Sequence, residues 1–206
     1  MIESTQPPQT RPLPYLDRAV ADSRDRAAWL AAREPGIGAS DAAKFANIDS
    51  APGYLRSKLH SGFGGNAATR HGTSREAGML AHYRIPQNFT LFHAEGNPRH
   101  LATPDGIVVS GMTGEVVLAE CKTMNKPFRN ISPAYWRQCQ WQMYVMGAER
   151  VLFIYEVHEE FRPVAPEPES IWLARDDEQI ATLITIADRV LEGMDLARAF
   201  REGITS

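Results

Sequence analysis

Two strongly apolar segments in the second half of the chain constrain the fold most. They are Glu115–Lys122 and Arg150–Glu156, and the helical pattern between them begins at Pro133 and stops at Gly147. Apolar and β-branched runs of this length favour buried strands. A proline at the first position and a glycine just past the last are typical of a helix. Further strands are predicted at residues 88–93, 102–109 and 170–174.

Helical patterns surround these strands. They are predicted at residues 17–33, 54–59, 66–83 and 176–200, with Trp29 as a core anchor of the first. The order is helices, three strands, a helix, two strands and a helix, which predicts an α/β sandwich around a mixed central sheet flanked by helices. Residues 1–14 contain four prolines and few large apolar groups, so a flexible N-terminal tail is expected there. Residues 15–206 are then expected to form a single domain.

The net charge of −3 would ordinarily argue against a nucleic-acid partner, but the charge is distributed unevenly. Residues 51–150 carry 11 basic and 6 acidic side chains, whereas residues 151–206 carry 5 basic and 12 acidic ones. A basic block of this kind allows a positive surface on an acidic protein.

Other classes of protein fit the sequence poorly. It lacks an apolar run long enough for a transmembrane helix and a leader with a basic and then an apolar region, so a cytoplasmic protein without a membrane partner is expected. Its two cysteines, Cys121 and Cys139, are too few for a disulfide framework or a four-cysteine metal site.

Acidic residues are rare in the basic block, and two of them fall where strands begin or end. Asp105 lies in a Pro-Asp-Gly turn that leads into a strand, and Glu120 lies near the end of the next strand, two residues before Lys122. Because strand side chains alternate between faces, Glu120 and Lys122 project together. If the two strands form a hairpin, Asp105 and Glu120 meet at one edge of the sheet. Two carboxylates and a backbone carbonyl there would suit Mg²⁺, and the lysine could orient or deprotonate a water.

A plainer interpretation stays open at this point. Pro-Asp-Gly is a common turn sequence, and a Glu/Lys pair two residues apart on a strand is usually a solvated face. The catalytic interpretation is favoured because Glu120 and Lys122 terminate an almost wholly apolar strand.

Further motifs extend this pattern in a fixed order. They are Trp29–Arg33 followed by Gly36–Asp41, then His71–Glu76, Thr103–Gly106, Glu120–Lys122 and Tyr135–Tyr144. Together they resemble the lambda exonuclease group, also called YqaJ-like viral recombinases, of the PD-(D/E)XK nuclease superfamily. The resemblance covers roughly residues 29 to 157 and implies the restriction-endonuclease-like α/β fold of that superfamily.

The resemblance implies a metal-dependent catalytic centre. Asp105 and Glu120, with the carbonyl of Cys121, would bind one or two Mg²⁺ ions, for which Mn²⁺ could substitute. Glu76 would complete the metal site from its helix. Lys122 would handle the attacking water, with the catalytic Gln138 beside it.

The resemblance also implies a site for the DNA end. Arg33 and Ser40 resemble a pair that grips the terminal 5′-phosphate, although Ser40 alone is equally well explained as a helix N-cap. Thr103 and Tyr135 would support the centre. Thr103 stands where lambda-type enzymes often have serine, so the hydroxyl is kept.

The expected activity is Mg²⁺-dependent 5′-to-3′ digestion of double-stranded DNA ends, leaving 3′ single-stranded overhangs for phage-type recombination. The resemblance implies a single-strand annealing protein as partner and a homo-oligomer, in this family a ring-shaped trimer. Two alternatives remain: another PD-(D/E)XK DNA endonuclease, or a DNA-binding recombination protein whose nuclease centre is vestigial. The intact set of Asp105, Glu120, Lys122 and Gln138 argues against the second.

Overall fold

A computed structural model describes residues 15–60 and 67–204, so the expected tail at residues 1–14 lies outside the described residues. The strands are β1 (Ala19–Asp22), β2 (Ile37–Gly38), β3 (Thr90–His93), β4 (His100–Ala102), β5 (Gly106–Val109), β6 (Val116–Met124), β7 (Arg150–Glu159), β8 (Arg162–Pro163) and β9 (Glu169–Ala174). The helices are α1 (Arg26–Arg33), α2 (Ala39–Ala42), α3 (Ser50–His60), α4 (Ala67–His82), α5 (Pro133–Met146) and α6 (Asp177–Ile204).

The larger sheet is mixed, as the order of elements predicts. β6 pairs with β5 in antiparallel fashion and with β7 in parallel, and β9 and the short β8 each pair antiparallel with β7. A smaller sheet of order β1-β3-β4-β2 lies in the N-terminal half. A parallel pair needs a crossover connection, which α5 supplies between β6 and β7.

Alternating residues of the central strands pack into different layers. Leu118 and Phe153 belong to the main core, which includes the buried face of α5. Ala119 and Ile154 belong to a smaller core formed with Met79 and other residues of α4. The sheet is therefore covered on both faces, which is the expected α/β sandwich.

The crossover helix begins and ends where the sequence predicts. The Ser132 side chain accepts a hydrogen bond from the amide of Tyr135, at 3.2 Å, and Pro133 follows in the first helical turn. Gly147 ends the helix in the left-handed conformation, with φ 67°, which glycine adopts at little cost.

The expected single helix over residues 17–33 is wrong. A short 3-10 turn, strand β1 and helix α1 share this segment. The Asp25 side chain accepts from the amide of Ala28 and caps α1, and residues 19–22 pair with β3 instead. Tertiary pairing has overridden the helical preference of the alanines. Trp29 is only partly buried, so it is not the expected core anchor.

Among the described residues, no helix is both long and apolar enough to cross a membrane.

Candidate functional site

The hairpin formed by β5 and β6 brings Asp105 to the end of the apolar strand. Gly106 pairs with Ala119, and the Asp105 Oδ2 atom accepts a hydrogen bond from the Cys121 amide at 2.7 Å. A Cβ atom at Gly106 would lie 2.6 Å from Ile85 and 3.2 Å from the Ala119 Cβ. Glycine is therefore needed at this position for the turn to pack closely against the next strand.

Glu120 is the polar centre of this edge and is only 1% exposed. The ammonium of Lys122 donates to its Oε1 atom, and Gln138 Nε2 donates to the same oxygen at 2.5 Å. Gln142 Nε2 donates to the other oxygen, Oε2, at 2.6 Å. Three donors thus fix the orientation of one buried carboxylate.

Lys122 is the cation of the cluster. Although burial disfavours its ammonium, the carboxylates of Glu120 and Asp105 raise the pKa of Lys122 above its ordinary value. Its Nζ atom also lies 5.4 Å from the centre of the Tyr135 ring. This lysine is held in its charged form and can donate hydrogen bonds.

Two carboxyl groups around Glu120 resist ionisation. Burial and repulsion from Glu120 and Glu76 raise the pKa of Asp105 well above its usual value, while Lys122 opposes the shift. Burial and the charge of Glu120 raise the pKa of Glu76 to about 7, despite a hydrogen bond with Gln87. Three acidic groups therefore share one neighbouring ammonium.

The oxygen atoms around Glu120 are of the kind that a divalent cation requires. Within residues 15–60 and 67–204, no three His, Cys, Asp or Glu side chains are grouped so as to hold a metal ion. The carboxylate of Glu120 is turned toward its three donors, and Asp105 is bonded to the Cys121 amide. The chemistry nevertheless fits Mg²⁺, because hard carboxylate oxygens that repel one another are stabilised by a divalent charge.

The second predicted cluster joins α1 to α2. Arg33 Nη2 donates to Ser40 Oγ at 2.9 Å, and the Arg33 guanidinium lies 4.3 Å from the centre of the Trp29 ring. Trp29 Nε1 in turn donates to Thr103 Oγ1 at 3.2 Å. A guanidinium and a hydroxyl presented together form a good anion site.

Hydrogen bonds and an ion pair stabilise the turn between Arg33 and Ser40. A Cβ atom at Gly38 would lie 2.7 Å from Arg33 Nη2, so only glycine lets the arginine approach. Asp41 accepts from the Gly38 amide at 2.8 Å and pairs with Lys58 at 3.2 Å. Although burial alone would raise it, the charge of Lys58 and hydrogen bonds from Tyr54 and Gly38 lower the pKa of Asp41. Asp41 therefore stays ionised and holds the loop in place.

The N-cap explanation of Ser40 is wrong. Gly38 is the N-cap of α2, and Asp41 closes the turn by accepting from the Gly38 amide. Ser40 lies inside the short helix and its exposed hydroxyl accepts from Arg33 instead. Its side chain is therefore not used in capping.

A cavity of about 150 Å³ connects the two clusters. Its lining includes Trp29, Arg33, Ser40, Thr103, Gln138 and Gln142. A space of this size holds several water molecules or a small anion. Arg33 and the amides that hold Glu120 thus face the same space.

A larger cleft, of about 940 Å³, lies on the other side of Arg33 between α1, α3 and the end of α6. Its lining contains both acidic and basic side chains, and several of them form ion pairs with one another. Lys58 pairs with Asp41, and Arg99 pairs with Asp195 at 2.8 Å. It does not include the residues around Glu120.

Sequence reasoning missed three side chains of this site. Trp29 was expected in the core, yet it lies between Arg33 and Thr103. Gln142 lies one turn after Gln138, and that spacing of four residues could have indicated a shared partner. Gln87 bonds Glu76 from a loop after Pro86, and no sequence pattern marks it.

Residues 28–149, more than half of the chain, match the model of the YqaJ-like viral recombinase domain. No curated protein matches the sequence.

Several solved structures share the fold. An alkaline exonuclease (LHK-Exo) from Laribacter hongkongensis has a TM-score of 0.66 and 21% identity, covering 86% of this chain and 96% of that one. LHK-Exo in complex with dAMP gives a TM-score of 0.66 and 23% identity over the same shares of the two chains. A phage-related exonuclease from Haemophilus somnus 129PT has a TM-score of 0.60 and 13% identity, covering 81% of this chain and 96% of that one. The fold is thus that of the PD-(D/E)XK nucleases, as expected.

Proposed function

Because the chain belongs to the YqaJ-like viral recombinase family, we propose that it is a Mg²⁺-dependent exonuclease that degrades double-stranded DNA from 5′ ends. The products would be mononucleotides and duplexes with 3′ single-stranded overhangs. The exonuclease names of the similar structures support this proposal.

One observation carries the proposal: the two glutamines that hold the buried Glu120, Gln138 and Gln142, line the same small cavity as an arginine–hydroxyl pair. Glu120 is bound by Lys122 and Gln138 at one end, and Arg33 is bound to Ser40 at the other. Phosphodiester hydrolysis needs a centre for the attacking water and a clamp for the substrate's charge. With Arg33 and Ser40 holding the 5′-phosphate, the bond beside Glu120 and Lys122 would be the one that releases the terminal nucleotide.

Glu120, Asp105 and Glu76, with the Cys121 carbonyl, would hold Mg²⁺ at this edge of the sheet. When bound, the ion would supply Lewis acidity to the phosphate and lower the pKa of a water. Asp105 and Glu76 must be ionised to bind it, so protons compete with the metal. Mn²⁺ prefers the same kinds of ligand and could substitute.

Lys122 would act as a charged donor. The raised pKa of Lys122 makes it a poor base while Glu120 and Asp105 are ionised. Its ammonium would therefore orient the attacking water and balance the negative charge that develops on the phosphate. Gln138 bonds the same Glu120 oxygen and keeps that carboxylate turned toward the lysine.

Arg33 and Ser40 would bind the 5′-phosphate of the strand being digested. A guanidinium fork can bond two phosphate oxygens while remaining stacked on Trp29. Thr103 bonds Trp29 and so keeps that ring under the arginine. Tyr135, on the other side, lies beside the ammonium of Lys122.

The family resemblance further supports a homotrimer that encloses DNA and a single-strand annealing protein that takes up the 3′ overhang. Both are proposals about the working complex of the enzyme. Light scattering of the purified protein and co-purification with a single-strand annealing protein would test them.

A digestion assay tests the function. Linear duplexes with 5′-phosphate or 5′-hydroxyl ends and covalently closed circles are incubated with Mg²⁺ or EDTA. We expect Mg²⁺-dependent loss of linear DNA, faster from 5′-phosphate ends, with circles left intact. Cutting of circles would indicate a PD-(D/E)XK endonuclease instead, and no cutting under any condition would indicate a vestigial centre.

Two variants test the site within the same assay. Glu120→Ala and Lys122→Ala should each abolish digestion. Glu115→Ala removes a carboxylate from the opposite end of the hairpin, where Glu115 pairs with Arg150 at 3.0 Å, and should digest normally. Full activity of either centre variant would refute the assigned roles.

A further inference from the structure

We propose that Gln142 is a positioning residue for the metal-binding carboxylate Glu120. The inference rests on the proposed function. Gln142 lies within the Tyr135–Tyr144 motif, one turn beyond Gln138 on α5, but has no role among the site residues expected from the sequence.

The contact itself is short and shielded from water. Gln142 is 1% exposed, like Glu120, and its Nε2 atom donates to Glu120 Oε2 at 2.6 Å. Lys122 and Gln138 both bond the other oxygen, Oε1. Gln142 therefore holds the oxygen that those two groups leave, and it sets the rotation of the carboxylate about its last bond.

The carbonyl end of the Gln142 amide also indicates that Glu120 sets the orientation of this side chain. Its Oε1 atom is buried and receives no hydrogen bond from the described part of the chain. Turning the amide over would place its oxygen against the carboxylate of Glu120, so the bond to Glu120 fixes the orientation of the amide.

The same helix offers a contrasting glutamine. Gln140 is fully buried, but its Nε2 atom donates to the Ala174 carbonyl at 2.9 Å and its oxygen accepts from the Asp176 amide at 2.8 Å. Both ends of its amide are satisfied: Ala174 is the last residue of β9, and Asp176 directly precedes α6. Gln140 thus joins α5 to the end of β9 and the start of α6, whereas within the described residues the Gln142 side chain is hydrogen-bonded to Glu120 alone.

Gln142 also lines the 150 Å³ cavity that Arg33 and Ser40 face. Gln142 therefore borders the cavity next to the proposed phosphate site and also hydrogen-bonds the proposed metal ligand Glu120. Residues that orient a metal ligand in this way typically contribute 10- to 100-fold to metal affinity or activity.

The test compares Gln142→Met with Gln140→Met, since methionine keeps the length of the side chain and removes both polar atoms. Three quantities are measured: Mn²⁺ affinity of the DNA-free protein by calorimetry, Tm in EDTA, and the Mg²⁺ dependence of digestion. For Gln142→Met we expect Mn²⁺ affinity and kcat to fall by about tenfold. Tm in EDTA should also fall, because the buried Glu120 Oε2 atom loses its donor. For Gln140→Met we expect Tm to fall by about 2–4 °C or more, with Mn²⁺ affinity unchanged.

Each outcome decides the inference. Mn²⁺ affinity and kcat of Gln142→Met within twofold of the wild type would overturn it, as would an equal fall in the Mn²⁺ affinity of Gln140→Met. If Gln142→Met does not fold, Gln142→Asn keeps the amide but shortens the side chain by one methylene and withdraws the donor from Glu120; wild-type Mn²⁺ affinity in that variant would overturn the inference equally. An inactive wild-type enzyme would instead refute the proposed function, and the Mn²⁺ and Tm measurements would still test the role of Gln142.

Discussion

Replacing Lys122 with methionine should destabilise the metal-free protein strongly and in a way that depends on pH. The side chain of Lys122 is 22% exposed and that of its partner Glu120 only 2%. Removing one member of a buried ion pair costs about 3–5 kcal/mol, and the partial exposure of Lys122 reduces this to about 2–4 kcal/mol. For a domain of this size the loss corresponds to a Tm lower by about 5–15 °C.

The dependence on pH follows from the neighbouring acids. The pKa values of Asp105 and Glu76 are already raised, the latter to about 7, and loss of the ammonium raises them further. An acid whose pKa is higher in the folded protein than in the unfolded chain destabilises the folded state once the pH rises above the pKa of the unfolded chain. The deficit of Lys122→Met should therefore be larger at pH 8 than at pH 5.

Thermal unfolding followed by circular dichroism, in EDTA and in Mg²⁺, measures both effects. Lys126→Met is the matched control, because Lys126 is exposed and its loss should change stability by no more than about 0.5 kcal/mol. Added Mg²⁺ should recover part of the lost Tm, since the cation replaces the missing positive charge. A Tm of Lys122→Met within 2 °C of the control at pH 8 in EDTA would refute the reasoning, on the scale of about 2–4 °C per kcal/mol.

Three further predictions concern the wild-type site and its phosphate clamp. In EDTA the free energy of unfolding should fall as the pH rises from about 4.5 to about 7, because over this range Glu76 keeps its proton in the folded protein and loses it in the unfolded chain. Mg²⁺ should reduce this slope. Urea titrations at several pH values measure the slope, and a flat profile would contradict the prediction. Arg33→Lys keeps the charge but loses the fork, so the ratio of kcat/KM for 5′-phosphate over 5′-hydroxyl ends should fall about 10- to 100-fold; an unchanged ratio would remove Arg33 from the clamp. Trp29→Ala should lower kcat/KM on 5′-phosphate ends by about 2- to 30-fold. Trp29→Phe, which keeps a ring under the guanidinium, should lose less, and equal losses would exclude the stacking contact.

The main elements of the fold were accessible from the sequence because their signals are local. The apolar runs at β6 and β7 and the Pro133 and Gly147 boundaries of α5 predicted the crossover unit directly. The segment before α1 was mispredicted, since its alanines favour a helix and only pairing with β3, about 70 residues away, makes β1 a strand. Short strands such as β2 and β4 were missed for the same reason.

What the sequence by itself determined was the family, the α/β order and the inventory of chemistry: carboxylates at strand ends, a lysine two residues on, and an arginine before a glycine turn. These follow from residue types at fixed spacing along one or two elements. Only the tertiary structure decided which groups meet across elements. In the structure Trp29 lies between Arg33 and Thr103, and Ser40 accepts a hydrogen bond from Arg33 instead of capping a helix. Gln142 donates to Glu120 Oε2, the oxygen that Lys122 and Gln138 do not bond. Hydrogen bonds between side chains far apart in the chain depend on packing to within fractions of an ångström, and the pattern of residues along the chain does not encode that distance.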